Sequence, residues 1–253
     1  MKITFLGTGT SQGVPVIGCN CAVCTSTDKR DNRLRTSVWV ETPEASIVID
    51  SGPDFRYQML RAKVRNLDAI IFTHSHKDHI AGLDDVRAYN YFSGKAMEIY
   101  ATEETQDGLR REFHYVFNNR TYPGIPQLNL NTITNKPFYI NGLEIVPIRV
   151  LHYKLEVFGF RIGGFTYITD ANYIAPEELE KAKGSDVFVL NALRHEKHIS
   201  HYNLPEAMEI ANSADVKNAY FLHISHQLGL HEEVTKMLPD HMHLAYDGLE
   251  LHL

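Results

Sequence analysis

The sequence predicts an α/β fold, in which strands and helices alternate along the chain. Of the 253 residues, 43% are hydrophobic and 22% are charged, which is enough apolar material for a buried core. Short apolar runs of strand length are separated by segments with helical spacing and by turns rich in Gly, Pro and Asn. Three reactive residues, His74, Asp170 and His223, each follow a predicted strand, where α/β folds place ligands and catalytic groups.

The first half of the chain predicts alternating strands and helices. Residues 1–7 have strand-like alternation, and a turn that contains Gly7 and Gly9 ends the strand. Residues 67–73 contain the apolar run AIIF, which is typical of a strand buried on both faces. To residue 130 we predict strands over 1–7, 36–41, 45–50, 67–73 and 97–100, helices over 55–63 and 80–91, and a helix with a long loop over 102–130.

The second half continues the same alternation. Pro176, Glu177 and Glu178 suit the first turn of a helix, because proline there loses no hydrogen bond and the acids complement the helix dipole. We predict strands over 138–140, 143–150, 157–162, 165–169, 186–190 and 218–222. We also predict one helix that begins at 176 and a second over 204–213.

Composition narrows the class of protein. No repeat, low-complexity tract or linker divides the sequence, so we expect one domain over residues 1–253. The first residues lack a cationic stretch followed by an apolar one, which predicts a cytoplasmic location. No apolar run approaches the ~18 residues of a membrane span, so no membrane partner is expected. A net charge of −6 argues against a nucleic-acid partner.

The cysteines are clustered. Cys19, Cys21 and Cys24 are the only three in the sequence, and they lie within six residues. Their odd number and short spacing argue against a disulfide framework in a reducing cell. Thiolates are good zinc ligands. The cluster therefore favours a metal site.

Histidines are concentrated in the segment 73–79, which reads THSHKDH. In an extended turn, His74 and His76 point the same way, whereas Asp78 and His79 lie at the start of the following helix. Imidazole and carboxylate groups suit Zn, Mn or Fe. One short loop therefore offers two ligands to one metal ion and two to a neighbouring one.

This H-x-H-x-D-H pattern resembles that of the metallo-β-lactamase superfamily. The resemblance extends along the whole chain, through the opening segment LGTGTS, the strand that ends at Asp50 and the order of the later ligands. It implies a four-layer αββα sandwich with two mixed β-sheets, and it implies that Asp50 supports the histidine loop by hydrogen bonds. The implied metal ligands are His74, His76 and His152 for one ion and Asp78, His79 and His223 for the second, with Asp170 bridging them.

The implied metal pair determines the class of reaction. Two cations about 3.5–4 Å apart lower the pKa of a water between them, so that hydroxide exists at neutral pH. The resemblance therefore implies hydrolysis through a dinuclear-metal-bound hydroxide, with Asp78 and Asp170 among the catalytic groups. Both Zn and Mn fit these ligands. The superfamily includes lactamases, thioester hydrolases, nucleases and phosphodiesterases, so the fold does not settle the substrate.

The cysteine segment narrows the choice of branch. GCNCAVC, together with HISH at 223–226, resembles the PhnP branch, phosphoribosyl 1,2-cyclic phosphate phosphodiesterases related to tRNase Z. The resemblance implies one structural zinc on Cys19, Cys21, Cys24 and His226, a closed ligand set typical of structural sites. It also implies a small phosphodiester as substrate, cyclic phosphodiesters being favoured, and it allows a homodimer.

A further histidine is expected to act on the leaving group. His201 lies directly before a predicted helix and resembles the histidine that tRNase Z relatives use to protonate the leaving oxygen or to hold the phosphate. The pKa of a free imidazole suits either role. His195 and His198 remain alternatives to His201. Arg33, Arg35, Thr36 and Ser37 are weaker candidates for phosphate contacts, because arginine in such a segment more often lies on a solvated turn.

Three alternative functions stay open at this point. A tRNase Z-like RNA-processing nuclease is disfavoured because no extended basic arm is visible. A thioester or lactone hydrolase would need only the same metal pair. A PqqB-like cofactor-biosynthesis or binding module is expected to lack some ligands, whereas all seven positions of the metal pair are occupied here.

Overall fold

Two mixed β-sheets pack face to face at the centre of the protein, in a computed structural model that describes residues 1–118 and 124–253. The strands are β1 (Lys2–Gly7), β2 (Ser37–Glu41), β3 (Ser46–Ile49), β4 (Ala69–Ile71), β5 (Met97–Ala101), β6 (Leu128–Thr132), β7 (Phe138–Ile140), β8 (Leu143–His152), β9 (Leu155–Ile162), β10 (Phe165–Tyr167), β11 (Tyr173–Ile174), β12 (Val187–Asn191), β13 (Asn218–Leu222), β14 (Met242–Leu244) and β15 (Glu250–His252).

Each sheet changes from antiparallel to parallel pairing across its width. Within the described residues, the first sheet has the order β15-β1-β2-β3-β4-β5-β6 and becomes parallel from β3 onward. The second has the order β11-β8-β9-β10-β12-β13-β14, with β7 paired to β8, and becomes parallel from β10 onward. Several parallel strands therefore end at one common edge of the sandwich.

Helices cover the outer faces of both sheets. They are α1 (Phe55–Ala62), α2 (Lys77–Ile80), α3 (Arg87–Ser93), α4 (Glu103–Glu112), α5 (His114–Phe117), α6 (Pro176–Leu179), α7 (Leu204–Ser213) and α8 (His231–Thr235). The start of α7 is fixed by a capping box, in which the Asn203 side chain accepts from Glu206 N–H and the Glu206 carboxylate accepts from Asn203 N–H. Similarly, Thr102 caps α4 by accepting from Thr105 N–H.

Three apolar clusters hold these layers together. Strand alternation sends Val38 and Val40 into the cluster between the sheets and Trp39 into the cluster beneath α1 and α4. On the other side, Leu204 and Ala207 of α7 pack with Phe188 against the outer face of the second sheet. The layer order is therefore helix, sheet, sheet, helix.

The structure departs from the predicted elements in three places. Strand β6 lies in the segment predicted as loop, and Tyr122 of that aromatic segment lies outside the described residues. The predicted helix 80–91 is divided near Gly82, whose N–H donates to Ser51 O, at the end of β3. Strands β11, β14 and β15 and helix α8 lie where no element was predicted. Among residues 1–118 and 124–253, no helix combines the length and apolarity needed to cross a bilayer.

Candidate metal centre

The candidate metal ligands lie at the edge where strands of both sheets end. The loop after β4 carries the histidine motif, β8 ends at His152, and Asp170 follows β10. His223 directly follows β13, and α2 begins at Lys77, so that Asp78 and His79 lie in its first turn. Residues that are distant in the sequence therefore meet at one place.

Two groups of four side chains form there and share Asp170. Within each group, one potential ligand atom of every residue lies within 4.8 Å of the others. The first group contains His74, His76, His152 and Asp170, and the second contains Asp78, His79, Asp170 and His223. These are the two sets that the sequence resemblance implied.

Asp170 faces both groups with different oxygens. Its Oδ2 lies 3.8 Å from His74 Nε2, whereas its Oδ1 lies 3.5 Å from His79 Nε2 and 3.2 Å from His223 Nδ1. The side chain is 2% exposed. One carboxylate therefore has an oxygen available to each of two neighbouring cations.

The spacing and bonding of these atoms fit metal ions. Ligands at about 2.1 Å from a tetrahedral ion lie roughly 3.4 Å from each other, and His74 Nε2 lies 3.0 Å from His76 Nδ1. Buried His79 Nε2 and both ring nitrogens of His223 make no hydrogen bond. Because buried polar atoms are normally satisfied, these nitrogens are suited to a cation.

Hydrogen bonds orient three of the imidazoles, those of His74, His79 and His152. His152 Nδ1–H donates to Ser200 O at 2.7 Å, and His79 Nδ1–H donates to Asp50 Oδ2 at 2.7 Å. Asp50 Oδ2 also accepts from Thr73 O–H at 2.8 Å, and Thr73 Oγ1 in turn accepts from His74 Nδ1–H at 3.0 Å. The Nε2 atoms of His74, His79 and His152 are therefore the ones that face the proposed metal positions. Sequence reasoning missed Thr73 and Ser200, because their role depends on local geometry.

Strained backbone occurs at three residues of the site. Asp50, Asp170 and His223 have φ values of 64°, 55° and 55°, in the left-handed region that non-glycine residues rarely occupy. Each such residue costs of the order of 1–3 kcal/mol unless the surroundings hold it there. The fold therefore sacrifices some stability to direct these side chains into the centre.

The electrostatics of the centre favour a positive charge. Burial alone would lower the pKa of His79, but the Asp170, Asp78 and Asp50 carboxylates hold that pKa well above its ordinary value. Burial alone would raise the pKa of Asp170, yet the His223 and His79 imidazoles keep that pKa well below its usual range. The carboxylates around His79 therefore stabilise a positive charge, which is a proton here and could equally be a metal cation.

A second candidate centre lies at the cysteine loop. Cys19, Cys21, Cys24 and His226 form a third group of four with ligand atoms within 4.8 Å. His226 Nδ1 lies 3.3 Å from both Cys19 Sγ and Cys21 Sγ. The Cys24 N–H and then the His226 ring lower the pKa of Cys21 to about 6, which favours a thiolate there. The group fits a closed tetrahedral zinc site.

His201 lies beside the histidine centre, whereas His195 does not contact it in the described structure. The His201 ring centroid is 4.6 Å from that of His152 and 4.8 Å from that of His223. His198 is half-buried and lies 5.2 Å from His201, and His195 is exposed. Burial lowers the pKa of His201 to about 3 and leaves its Nδ1 without a hydrogen bond. His201 is therefore neutral in the free protein.

The four candidate phosphate contacts instead bind other parts of the chain. The Arg33 side chain is buried rather than on a solvated turn, because it donates to Thr8 Oγ1 and Ala245 O and contacts His231 Nδ1. The partners of the other three are Asp54 for Arg35, Gly9 O for Thr36 and Asp50 O for Ser37. These side chains therefore stabilise the loops around the site.

Comparison with known proteins identifies the family and the fold of the chain. Residues 45–224 match a family described as a beta-lactamase superfamily domain. The crystal structure of a new diphosphatase from the PhnP family superposes with a TM-score of 0.93 and 40% identity, covering 100% of this chain and 97% of that one. This finding confirms the predicted α/β class and the metallo-β-lactamase fold.

Two of the curated proteins that match by sequence differ in their names. A Porphyromonas gingivalis protein named octanoyltransferase is 40% identical over 253 residues, which are 99% of this chain and 51% of that protein. A ribonuclease Z from Nostoc sp. is 29% identical over 169 residues, 64% of this chain and 46% of that protein. The chain thus spans about half the length of these relatives. It belongs to the beta-lactamase superfamily and is similar to a PhnP-family protein and to ribonuclease Z.

Proposed function

We propose that this protein is a dinuclear metal-dependent phosphohydrolase that cleaves a P–O bond in a small phosphodiester. The observation that carries the proposal is the pair of four-residue groups that share Asp170, one oxygen toward each group. Relationship to a PhnP-family diphosphatase supports phosphorus chemistry on a small molecule.

Two divalent cations, Zn or Mn, are the proposed occupants of the centre. His74, His76 and His152 would hold one and Asp78, His79 and His223 the other, with Asp170 between them. Such a pair supplies hydroxide at neutral pH and stabilises negative charge on phosphate oxygens. A third ion, zinc, is proposed at the cysteine loop. A reducing cytoplasm is part of the proposal, because it would keep these three thiols free.

His201 is proposed to bind a phosphate oxygen as a neutral hydrogen-bond donor. Its buried ring packs against His152 and His223, which places it next to both metal groups. Because burial lowers its pKa to about 3, the ring is neutral in the free protein: it keeps one N–H as a hydrogen-bond donor but lacks the second proton that an imidazolium would give to a leaving group. Of the two roles that the sequence left open, stabilising charge on the phosphate is therefore favoured.

Replacing His201 with alanine is expected to lower kcat/KM by about 10²- to 10³-fold, the usual cost of losing one donor to a developing negative charge. Metal content should stay unchanged, since His201 belongs to neither group of ligands. The measurement is steady-state kinetics together with elemental analysis. His198→Ala and His195→Ala are the matched controls, and a larger loss in either of them would move the role to that residue.

The substrate proposed first is a cyclic ribose phosphate such as phosphoribosyl 1,2-cyclic phosphate. A diphosphate diester is a second candidate, because a protein 40% identical to this chain is described as a diphosphatase. The two substrates can be compared directly by kcat/KM, with bis-p-nitrophenyl phosphate as a general reporter of phosphodiesterase activity. We expect turnover of the cyclic substrate to exceed that of the diphosphate, and the reverse order would select the second candidate.

Other classes of substrate are included in the same assay. The relative named octanoyltransferase makes an octanoyl thioester a necessary comparison, and the ribonuclease Z relatives make a tRNA precursor another. We expect neither to be cleaved at a comparable rate. For the tRNA precursor the reason is the net charge of −6, which disfavours a polyanion. If the protein binds one of these compounds but hydrolyses none of them, a PqqB-like binding module is favoured. A homodimer is proposed on the resemblance alone and is measured by sedimentation.

A further inference from the structure

We propose that helix α4 braces the histidine loop and that Gly108 is its positioning residue. Gly108 lies in the middle of α4 and is buried against Ser75, the residue between His74 and His76. The inference rests on the proposed function only in taking those two histidines as metal ligands.

The contact between α4 and the loop leaves no room for a side chain. A Cβ built on Gly108 would lie 2.4 Å from Ser75 Cβ and 2.7 Å from Ser75 Oγ, far inside van der Waals contact. The next atom of Ser75, its Cα, would be 3.8 Å away, an ordinary distance. The whole conflict therefore comes from the Ser75 side chain.

Helical propensity alone would favour alanine over glycine at position 108. Glycine is a poor helix former, and an alanine at an interior position would favour α4 by itself. A glycine here is consequently explained by the close approach to the loop rather than by the helix. The opposite signs of these two effects allow them to be separated by experiment.

A second contact joins the histidine loop to the same face of α4. Lys77 Nζ forms an ion pair with Glu112. Lys77 lies two residues after Ser75, and Glu112 lies four residues after Gly108. Positions 108 and 112 lie on one face of the helix. The face of α4 that contains both residues therefore follows the loop from Ser75 to the start of α2.

The helix cannot easily retreat from the loop. Leu109 is fully buried beneath α4, and Gln106 Nε2 donates to Ala101 O and to Thr132 Oγ1, which ties α4 to β5 and β6. His74, in contrast, is linked to the core through Thr73. An added methyl group at 108 would hence displace Ser75 and its two neighbours, and metal sites tolerate only ~0.2 Å of change in ligand distances.

The test is a double-mutant cycle of Gly108→Ala and Ser75→Gly. Metal affinity of the full chain is measured by chelator competition with Zn²⁺ and with Co²⁺, without substrate, and kcat and KM are measured alongside. Gly108→Ala is expected to weaken binding at the histidine centre about 10- to 100-fold, the usual effect of disturbing the support of a ligand. Ser75→Gly should have little effect, and the double variant should recover most of the lost affinity.

Asp107→Ala is the matched control, because Asp107 lies on the exposed face of α4 and pairs only with Arg110 in the described structure. It should leave affinity unchanged. Unaltered metal affinity in Gly108→Ala, or a loss of affinity that Ser75→Gly does not restore, contradicts the proposal that α4 braces the histidine loop. If Gly108→Ala does not fold, the double variant still decides, because a well-folded double variant supports relief of the clash and an unfolded one contradicts it. A parent protein that binds no metal pair would instead overturn the proposed function.

Discussion

Replacing Asp170 with alanine is expected to abolish hydrolysis, lowering kcat by at least about 10³-fold. The carboxylate offers Oδ2 to the group around His74 and Oδ1 to the group around His79 and His223. Without it, neither group keeps four ligands, and nothing holds two cations at a fixed separation. Metal analysis should accordingly show fewer ions at the histidine centre, while the zinc proposed at the cysteine loop remains.

Asp31→Ala supplies the matched control for this experiment. Asp31 is equally buried, at 2% exposed, but its carboxylate accepts from Ser26 O–H and His231 N–H, and it belongs to none of the three groups of ligands. Its loss should lower the melting temperature while the folded fraction keeps full metal content and turnover. Full turnover by the Asp170 variant would contradict the dinuclear scheme, whatever the substrate.

The histidine centre was predictable because much of it is local in sequence. His74, His76, Asp78 and His79 occupy one loop and one helical turn, so their spacing alone brings them near each other. The more distant ligands follow strands whose apolar runs are visible in the sequence, and parallel strands place their ends at one edge. The pairing of His152 with the first group, in contrast, came from family resemblance and not from any local pattern.

Contacts between distant segments were not predictable. Arg33 was expected on a solvated turn, whereas its guanidinium is buried against His231, 198 positions further along the chain, and against Ala245 O. No spacing rule reports such a partner. Gly108 is similar, because its neighbour Ser75 lies in another element and the sequence shows only a glycine within a helical pattern.

Short edge strands were missed for a different reason. Strand β6 reads LNLNT and pairs with β5 at the edge of the sheet. Asparagine is a poor strand former, so its propensity hid the alternation of the leucines. Strand β15 has three residues and pairs with β1, and so its existence depends on a partner almost the whole chain away. In each case tertiary pairing outweighs local preference.

Replacing Cys21 with serine is expected to remove one zinc ion per chain and to lower the melting temperature by on the order of 10 °C. Cys21 is the most informative of the three, because Cys24 N–H donates to its Sγ and the His226 ring lies beside it. Serine keeps the size of the side chain but is a poor zinc ligand. Elemental analysis and a thermal melt measure both effects.

The same substitution tests how the cysteine site is coupled to the histidine centre. Ile224, next to His223, pairs with the N-terminal loop, since its N–H donates to Thr8 O and its carbonyl accepts from Thr10 N–H. Loss of the zinc would loosen both the loop and His226, and so would disturb His223 indirectly. Activity should therefore fall less than in the Asp170 variant but more than in Ser225→Ala, a control in which the neighbouring hydroxyl is removed without loss of a ligand. Retention of three metal ions and of the melting temperature by Cys21→Ser would contradict the role of Cys21 as a ligand of a structural metal.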